Sequence, residues 1–216
     1  MQLTENIRIT NEDNMILMSR YPDNYFDLAI VDPPYGINIA TEIDRSGFKE
    51  GSSKNSLSKY EGSMSKKTWD NSIPNEKYFN ELCRVSKNQI IWGGNYFNLS
   101  PTRCFIVWDK MTYIPTMSQI EMAWSSFKSH SQLVKINSNQ SDRFHPTQKP
   151  IALYKWLLDK YAKEGDKILD THLGSGSIAL ACHDYKFDLT ACELDKEYYD
   201  KAIQRINNHI SQQKLF

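Results

Sequence analysis

The chain has 216 residues, of which 40% are hydrophobic and 24% are charged. Lys and Arg total 26, as do Asp and Glu, and the zero net charge excludes a globally basic nucleic-acid coat and an acidic solvating tail. No apolar run approaches the roughly 18 residues of a membrane span. Because the first residues also show no secretory signal, we expect a single cytoplasmic domain over residues 1–216, with no membrane partner.

Strand-like and helix-like segments alternate along the chain, which predicts an α/β fold. Short runs rich in β-branched and aromatic residues predict seven strands, at residues 7–10, 26–31, 89–92, 103–108, 120–124, 167–170 and 188–193. Apolar residues at spacings of three and four predict helices at residues 75–86, 150–161, 176–185 and 195–210. This alternation predicts a mostly parallel sheet with helices on both faces.

Residues 37–72 break this pattern, because they are rich in Ser, Gly, Lys and Asn. A loop of this length is either functional or disordered, and we expect a long flexible loop whose end, Trp69-Asp70, closes over a site. Basic residues outnumber acidic ones in residues 41–67 and 128–150, whereas residues 1–35 are acidic. The two basic segments are therefore candidates for phosphate contacts, with ordinary solvated loops as the alternative.

The predicted strand 167–170 leads into a glycine-rich loop, Thr171-His-Leu-Gly174-Ser-Gly176, and then into a helix. Such glycines permit a tight turn, and a helix start supplies free N–H groups to a ligand. Glu193 ends the next strand, where a carboxylate can accept hydrogen bonds from both ribose hydroxyls of a nucleoside cofactor. The alternative is a structural turn beside a surface glutamate. Because only 23 residues follow Glu193, the other strands must come from upstream, which predicts a permuted sheet.

The predicted strand 26–31 ends in Asp32-Pro33-Pro34-Tyr35. Ligands bind at the carboxyl ends of parallel strands in α/β sheets. Two prolines fix the backbone and offer carbonyls but no N–H donors, so Asp32 and Pro33 present rigid acceptors beside the Tyr35 ring. These acceptors suit an amino group on a heteroaromatic ring, which would stack on Tyr35. The alternative is a strand-ending turn in which Asp32 caps a helix.

Three motifs together resemble those of a known enzyme family. Asp32-Pro-Pro-Tyr35 resembles the catalytic motif of the amino-methyltransferases that modify adenine N6 or cytosine N4 in DNA. Asp170-Thr-His-Leu-Gly-Ser-Gly176 resembles their cofactor motif, and His145-Pro-Thr147-Gln148-Lys149 resembles the segment that closes over the methionine end of the cofactor. The catalytic motif precedes the cofactor motif in the chain, which is the order of the beta group of these enzymes. The resemblance implies a circularly permuted Rossmann-like methyltransferase fold with a mostly parallel seven-stranded sheet, and S-adenosyl-L-methionine as cofactor.

The resemblance also implies a role for each matching residue. Asp32, Pro33, Pro34 and Tyr35 are the expected catalytic residues, and no metal ligand is expected. The expected cofactor-binding residues are Asp13, Asp32, His145, Thr147, Gln148, Lys149, Asp170, His172, Gly174, Ser175, Gly176 and Glu193. Asp13 is included because Asn11-Glu-Asp13 resembles a Gly-Asp element near the cofactor adenine. Thr171-His172 replaces the usual Pro-Phe, a change that can weaken cofactor binding.

Within the family, an aspartate at the first motif position usually accompanies adenine. We therefore expect adenine-N6 methylation of double-stranded DNA, with the base flipped out of the helix. Residues 127–144 are the short interval in which target recognition is expected. The resemblance also allows a homodimer, a cognate restriction endonuclease, and a prokaryotic or phage-encoded origin. Cytosine-N4 methylation, RNA or protein amine methylation, an inactive nucleic-acid-binding relative and, least favoured, a nicotinamide dehydrogenase are the alternatives.

Overall fold

All strands of the described residues belong to one sheet. The computed structural model describes residues 1–37, 69–112 and 118–211. The strands run in the order β1-β8-β7-β2-β3-β5-β4-β6. β5 is antiparallel to both of its neighbours, and the other pairs are parallel. Their bounds are β1 Ile7–Asn11, β2 Phe26–Val31, β3 Ser86–Trp92, β4 Cys104–Asp109, β5 Ile120–Ser125, β6 Gln132–Lys135, β7 Lys167–Asp170 and β8 Asp188–Glu193.

The expected sheet of seven strands is corrected to eight by the edge strand β6. Its sequence pattern is weak because it has four residues and only Val134 is buried, while Leu133 is 61% exposed. It pairs in parallel with β4, where Leu133 lies opposite Val107. Part of the interval 127–144, expected to recognise the target, is therefore the edge of the sheet.

The helices are α1 Asn14–Ser19, α2 Glu76–Val85, α3 Ile151–Tyr161, α4 Ser177–Tyr185 and α5 Lys196–Ser211. The four predicted helices are confirmed within one residue at each end. The short α1 is not among them, and it begins because the Asp13 side chain accepts hydrogen bonds from the backbone N–H groups of Met15 and Ile16. In the described part of the chain, no helix is both long enough and apolar enough to cross a membrane.

Helices cover both faces of the sheet, as predicted. On one face, α3, α4 and α5 bury side chains such as Leu157, Ile178 and Ile206 against the strands. On the other face, α1 and α2 bury Leu17 and Leu82 against β2 and β3. The two clusters form the core and leave the carboxyl ends of the strands accessible.

The order in which the strands are connected reverses at the centre of the sheet, between β7 and β2. β7, α4 and β8 lead to one side of it, and β2, α2 and β3 lead to the other. β2 and β7 are neighbours, with Leu28 opposite Ile168, so the loops that follow them meet at a topological switch point. β1, the first strand of the chain, pairs with β8, the last of the described strands. Strands from the two ends of the chain are therefore neighbours, as the predicted permutation requires.

Candidate active site

A cavity of about 680 Å³ opens at the carboxyl ends of β7, β2 and β8. The structure brings together most of the predicted site residues on its wall, namely Asp13, Asp32, Pro34, His145, Thr147, Gln148, Lys149, His172, Gly174, Ser175 and Glu193. Pro33, Tyr35, Asp170 and Gly176 are not part of the wall. The wall also includes residues that the motifs did not predict, among them Trp69, Asn75, Tyr78 and Tyr198.

The glycine-rich loop is held by its own backbone and by the end of β8. Gly174 and Gly176 have φ angles of +53° and +76°, in the left-handed region that favours glycine. Glu193 Oε2 accepts a hydrogen bond from Gly174 N at 2.8 Å, and Oε1 accepts one from Asp195 N at 2.9 Å. A carboxylate has about four lone-pair sites, so these bonds leave the Glu193 carboxylate, which lines the cavity, able to accept a further hydrogen bond.

Thr171 and His172, which depart from the family pattern, belong to a side-chain network. His172 Nε2 lies 3.1 Å from the side-chain amide nitrogen of Asn14, and Nδ1 lies 3.0 Å from Thr171 Oγ1. Tyr78 Oη lies 2.7 Å from the same Thr171 oxygen. Burial lowers the pKa of His172 to about 3, so the ring is neutral. Because an amide nitrogen only donates, Nε2 is the acceptor and Nδ1 carries the proton.

Asp170, at the end of β7, lies beneath the loop. It is buried, and its Oδ1 accepts a hydrogen bond from His172 N at 2.9 Å. Burial raises the pKa of Asp170 to about 8. Asp170 therefore supports the loop from behind, and direct cofactor contact by Asp170 stays a prediction.

The Asp32 carboxylate is bonded through both oxygens. Oδ1 accepts from Tyr35 Oη at 2.5 Å, and Oδ2 accepts from Lys149 Nζ at 2.6 Å. No helix begins at residues 32–37, so the interpretation of Asp32 as a helix cap is wrong. The Tyr35 ring stacks on Tyr96 with centroids 5.1 Å apart, and a β-carbon on Gly93 would lie 2.2 Å from Tyr35 Cε1. Tyr96 and Gly93 thus cover part of the ring on which we expected the target base to stack.

Asp70 holds the backbone at Tyr35 and Gly36, although none of the three motifs contains it. Its Oδ1 accepts hydrogen bonds from Tyr35 N at 2.7 Å and from Gly36 N at 3.0 Å, and the residue is 1% exposed. The neighbouring Trp69 ring lies 5.5 Å from the His145 ring on the cavity wall. Trp69 and Asp70 therefore lie beside the candidate site, as expected. Most of the loop 37–72, including its basic residues, lies outside the described residues.

The basic segment 128–150 does not all face outward, which corrects the expectation of phosphate contacts for Lys149 and leaves it a prediction for the exposed residues. Lys149 has a side chain that is 2% exposed and is turned toward Asp32. Arg143 donates to the Ser138 carbonyl oxygen at 2.9 Å. Protein acceptors thus engage two of the four cations, and Lys128 and Lys135 are exposed. A count of charge along the sequence could not separate these two kinds of cation.

Two further charged residues at the site were missed because their partners are distant in sequence. Arg205 Nη1 donates to the Ser175 carbonyl oxygen at 3.0 Å, and Arg205 Nε donates to Asp142 at 2.6 Å. Arg205 thereby ties the glycine-rich loop to the segment before His145. The second residue, Glu121, lies beside Lys149. Within the described ranges, no cluster of three His, Cys, Asp or Glu residues could hold a metal ion.

Solved structures of low sequence identity share this fold. The M1.HpyAVI–SAM complex has a TM-score of 0.59 and 17% identity, over 92% of this chain and 98% of that chain. The PvuII DNA methyltransferase, described as cytosine-N4-specific, has a TM-score of 0.61 and 14% identity, over 96% and 93%. A putative DNA modification methylase of Thermus thermophilus, complexed with S-adenosyl-L-methionine, has a TM-score of 0.54 and 15% identity, over 95% of each chain.

Sequence comparison identifies the family. The chain is 33% identical over 73 residues to the Type II methyltransferase M.HpaI of Haemophilus parainfluenzae, covering 34% of this chain and 23% of that protein. It is 32% identical over 78 residues to M.HindIII of Haemophilus influenzae, covering 36% and 25%. These matches span about a quarter of the relatives' length. A family model of N6 and N4 methyltransferases, described as DNA methylase, matches residues 65–204, which is more than half of the chain. The chain therefore belongs to the N6/N4 family of DNA methylases.

Proposed function

We propose that this protein is an S-adenosyl-L-methionine-dependent DNA methyltransferase that methylates the exocyclic N6 of a flipped-out adenine. One observation carries the proposal: the Asp32 carboxylate and the glycine-rich loop with Glu193 line the same cavity. That cavity lies at the switch point of the sheet, where α/β folds bind their ligands. Family membership supports a reaction on a DNA amino group.

The residues of the cavity suit the proposed cofactor. Its volume of about 680 Å³ is within the usual range of small-molecule sites. At one end, Glu193 offers lone pairs to the ribose hydroxyls, beside the neutral His172 ring. His145 and Thr147 are the candidates for the methionine end. S-adenosyl-L-methionine, when bound, supplies an electrophilic methyl group.

The chain's own residues position the amine and receive its proton. An exocyclic amine is a weak nucleophile because its lone pair is delocalised into the ring. Hydrogen bonds from its two N–H groups to the Asp32 carboxylate and the Pro33 carbonyl would favour a pyramidal nitrogen with an available lone pair. The nitrogen gains a methyl group and loses one proton, for which Asp32 is the proposed acceptor. Burial raises the pKa of Asp32 despite the nearby Lys149, which makes its carboxylate a better base.

The identity of Asp32 favours adenine over cytosine as the proposed target base. A cytosine-N4 methyltransferase is the second candidate, since a structural neighbour is described as cytosine-N4-specific. A homodimer, a cognate restriction endonuclease and a cytoplasmic location stay predictions.

Incubation of the purified protein with labelled S-adenosyl-L-methionine tests the function. Double-stranded DNA, RNA and protein are supplied separately, and nucleoside mass spectrometry identifies the product. We expect N6-methyladenine from DNA alone. Asp32→Ala should lower the rate by about 100-fold or more, because it removes an acceptor aimed at the reacting amine. The same variant should still bind the cofactor, measured by calorimetry, because the other expected contact residues, such as Glu193 and His172, remain.

Three outcomes would contradict the proposal. N4-methylcytosine would transfer it to the second candidate. Label in RNA or protein alone would reject DNA as the substrate. Undiminished methylation by Asp32→Ala would reject the catalytic assignment.

A further inference from the structure

Glu121 belongs to a largely buried series of charges that begins at Asp32 and ends at Lys110. Lys149 Nζ lies 2.6 Å from Asp32 Oδ2 and 2.9 Å from Glu121 Oε2. Lys110 Nζ lies 2.8 Å from the other Glu121 oxygen, Oε1. The Lys149 side chain is 2% exposed, whereas those of Glu121 and Lys110 are 20% and 18% exposed. Cations and carboxylates therefore alternate from the cavity wall toward the surface.

The antiparallel strand β5 carries Glu121 to this position, opposite Trp108 of β4. Lys149 is further restrained by the Trp92 ring, whose centroid lies 5.1 Å from Nζ, and by the Tyr35 hydroxyl at 3.3 Å. The ammonium group is thus surrounded by two carboxylates, a hydroxyl and an aromatic face. Lys149 does not enter the cavity as an unpaired cation.

The contact between Lys149 and Glu121 depends on charge. Glu121 Oε2 is buried and accepts no well-directed hydrogen bond from the described residues, even though Nζ is at ion-pair distance. A neutral amide of the same shape would therefore keep little of this attraction. Burial raises the pKa of Glu121, but the ammonium groups of Lys149 and Lys110 outweigh it and bring that pKa below its ordinary value.

The sign of the local charge matters for methylation of an amine. Asp32, Lys149, Glu121 and Lys110 sum to zero when all four are ionised. Without the Glu121 charge, they would sum to one positive charge beside a nitrogen that becomes positive during methylation. Lys149 would then be neutralised by Asp32 alone, at the expense of the interaction of Asp32 with the amine.

We propose that Glu121 is a positioning residue of the reaction, which shares the charge of Lys149 so that the Asp32 carboxylate remains available to the substrate amine. The inference rests on the proposed methyltransferase function and adds a residue that none of the three motifs contains. Glu121 acts through Lys149 and does not itself touch the reacting atoms.

Five single variants, among them Lys110→Met, and two double variants test this role. Glu121→Gln should lower kcat by about 10-fold or more, while the KM for DNA and the calorimetric Kd for S-adenosyl-L-methionine change less than about threefold. Glu121→Asp keeps the charge and should recover most of kcat. Lys149→Met should also lower kcat, and adding Glu121→Gln to it should cause little further loss, because the two residues act in one path. Lys87→Met is the matched control, since it removes a lysine of β3 that pairs with a single carboxylate, Asp27 at 2.6 Å, and lies outside both basic segments.

A readout without the cofactor separates the role from a loss of folding. Urea unfolding of the free protein should show non-additive effects of Glu121→Gln and Lys149→Met, and additive effects of Glu121→Gln and Lys87→Met. If Glu121→Gln does not fold, the Glu121→Asp variant and the Lys149→Met background still report the coupling.

Each result has a distinct meaning. A wild-type protein that methylates no DNA overturns the proposed function and this inference with it. A methylating wild type, with Glu121→Gln at the wild-type kcat, overturns this inference alone. Equal losses of kcat in Lys110→Met and Glu121→Gln would also overturn it. Glu121 would then act mainly as a structural link between β5 and Lys110, which follows β4.

Discussion

The two loops at the centre of the sheet are stabilised in different ways. The glycine-rich loop after β7 is held mainly by backbone conformation and by Glu193, which is 19 residues from Gly174. The tetrapeptide after β2 is held by Asp70 and Lys149, which are 35 and 117 residues from their partners in the chain. The backbone of the first loop is held within residues 170–205, and Asn14 and Tyr78 contact its first two side chains. The backbone of the second loop requires three distant segments to be in place. We therefore expect variants of the second loop to be the more damaging.

Replacing Asp70 by Ala tests the non-local support and should have the largest effect. It would leave the backbone N–H groups of Tyr35 and Gly36 without their acceptor. We expect the free energy of unfolding to fall by about 2–4 kcal/mol and kcat to fall by about tenfold or more, measured by urea unfolding and by methylation of DNA. Asp166→Ala is the control, because Asp166 accepts one backbone hydrogen bond, from Lys163, at an exposed turn. Equal effects of the two variants would contradict the comparison.

Replacing Gly176 by Ala tests the local support. A β-carbon there would lie 3.1 Å from Ile206 Cδ1, at a φ of +76°. Gly165→Ala is a matched control, with a φ of +85° and no atom within 4 Å of the added carbon. We expect Gly165→Ala to cost about 1 kcal/mol in unfolding, and Gly176→Ala about 2–3 kcal/mol, with weaker cofactor binding only in Gly176→Ala. Equal costs would show that the packing on Ile206 is unimportant.

Replacing His172 by Phe, the usual family residue, tests the network beside the glycine-rich loop and should have the smallest effect. Burial lowers the pKa of His172 to about 3, so the folded protein keeps this ring neutral while the unfolded chain protonates it near pH 6.5. Wild-type stability should therefore fall as the pH drops from about 6.5 toward 3, and the variant should lack this loss. Between pH 7.5 and 5.0, the variant should gain about 1–2 kcal/mol relative to wild type in urea unfolding. The exposed His130→Phe should gain nothing, and a pH-independent difference for His172→Phe would contradict the assignment.

The same contrast explains how far the sequence could predict the fold. Seven strands and four helices follow from local periodicity, because their buried residues recur at regular spacing. The edge strand β6 lacks this signal since only Val134 of its four residues is buried. The short helix α1 could have been found from Asp13, which is a good N-cap before the apolar residues of α1. The motifs predict Asp13 only as a cofactor contact, and its capping role is a finding of the structure.

The candidate site was predictable to a similar extent. The motifs located most of the residues that line the cavity, because those residues are clustered in short segments. Glu121 and Arg205 were not assigned, and Asp70 was expected only as the end of a loop that closes over the site. Each of the three acts on a segment far away in the chain. Arg143 and Lys149 were counted among the candidates for phosphate contacts because of their charge, and Lys149 also belongs to a cofactor motif. Their acceptors are a backbone oxygen and the Asp32 and Glu121 carboxylates. Such pairings become visible only when the sheet brings the segments together.

The hydrogen bonds from Tyr35 and Gly36 to Asp70 affect how much the length of the chain between these residues can change. They hold the two ends of the segment between Gly36 and Asp70 together, close to the end of β2. The entropy of closing a flexible loop grows slowly with its length, by about 0.6 kcal/mol for each doubling. Insertions, deletions or whole replacements between residues 38 and 68 should therefore be tolerated without displacing Asp32. This junction is accordingly a place at which the length of the chain could change while the end of β2 stays in position.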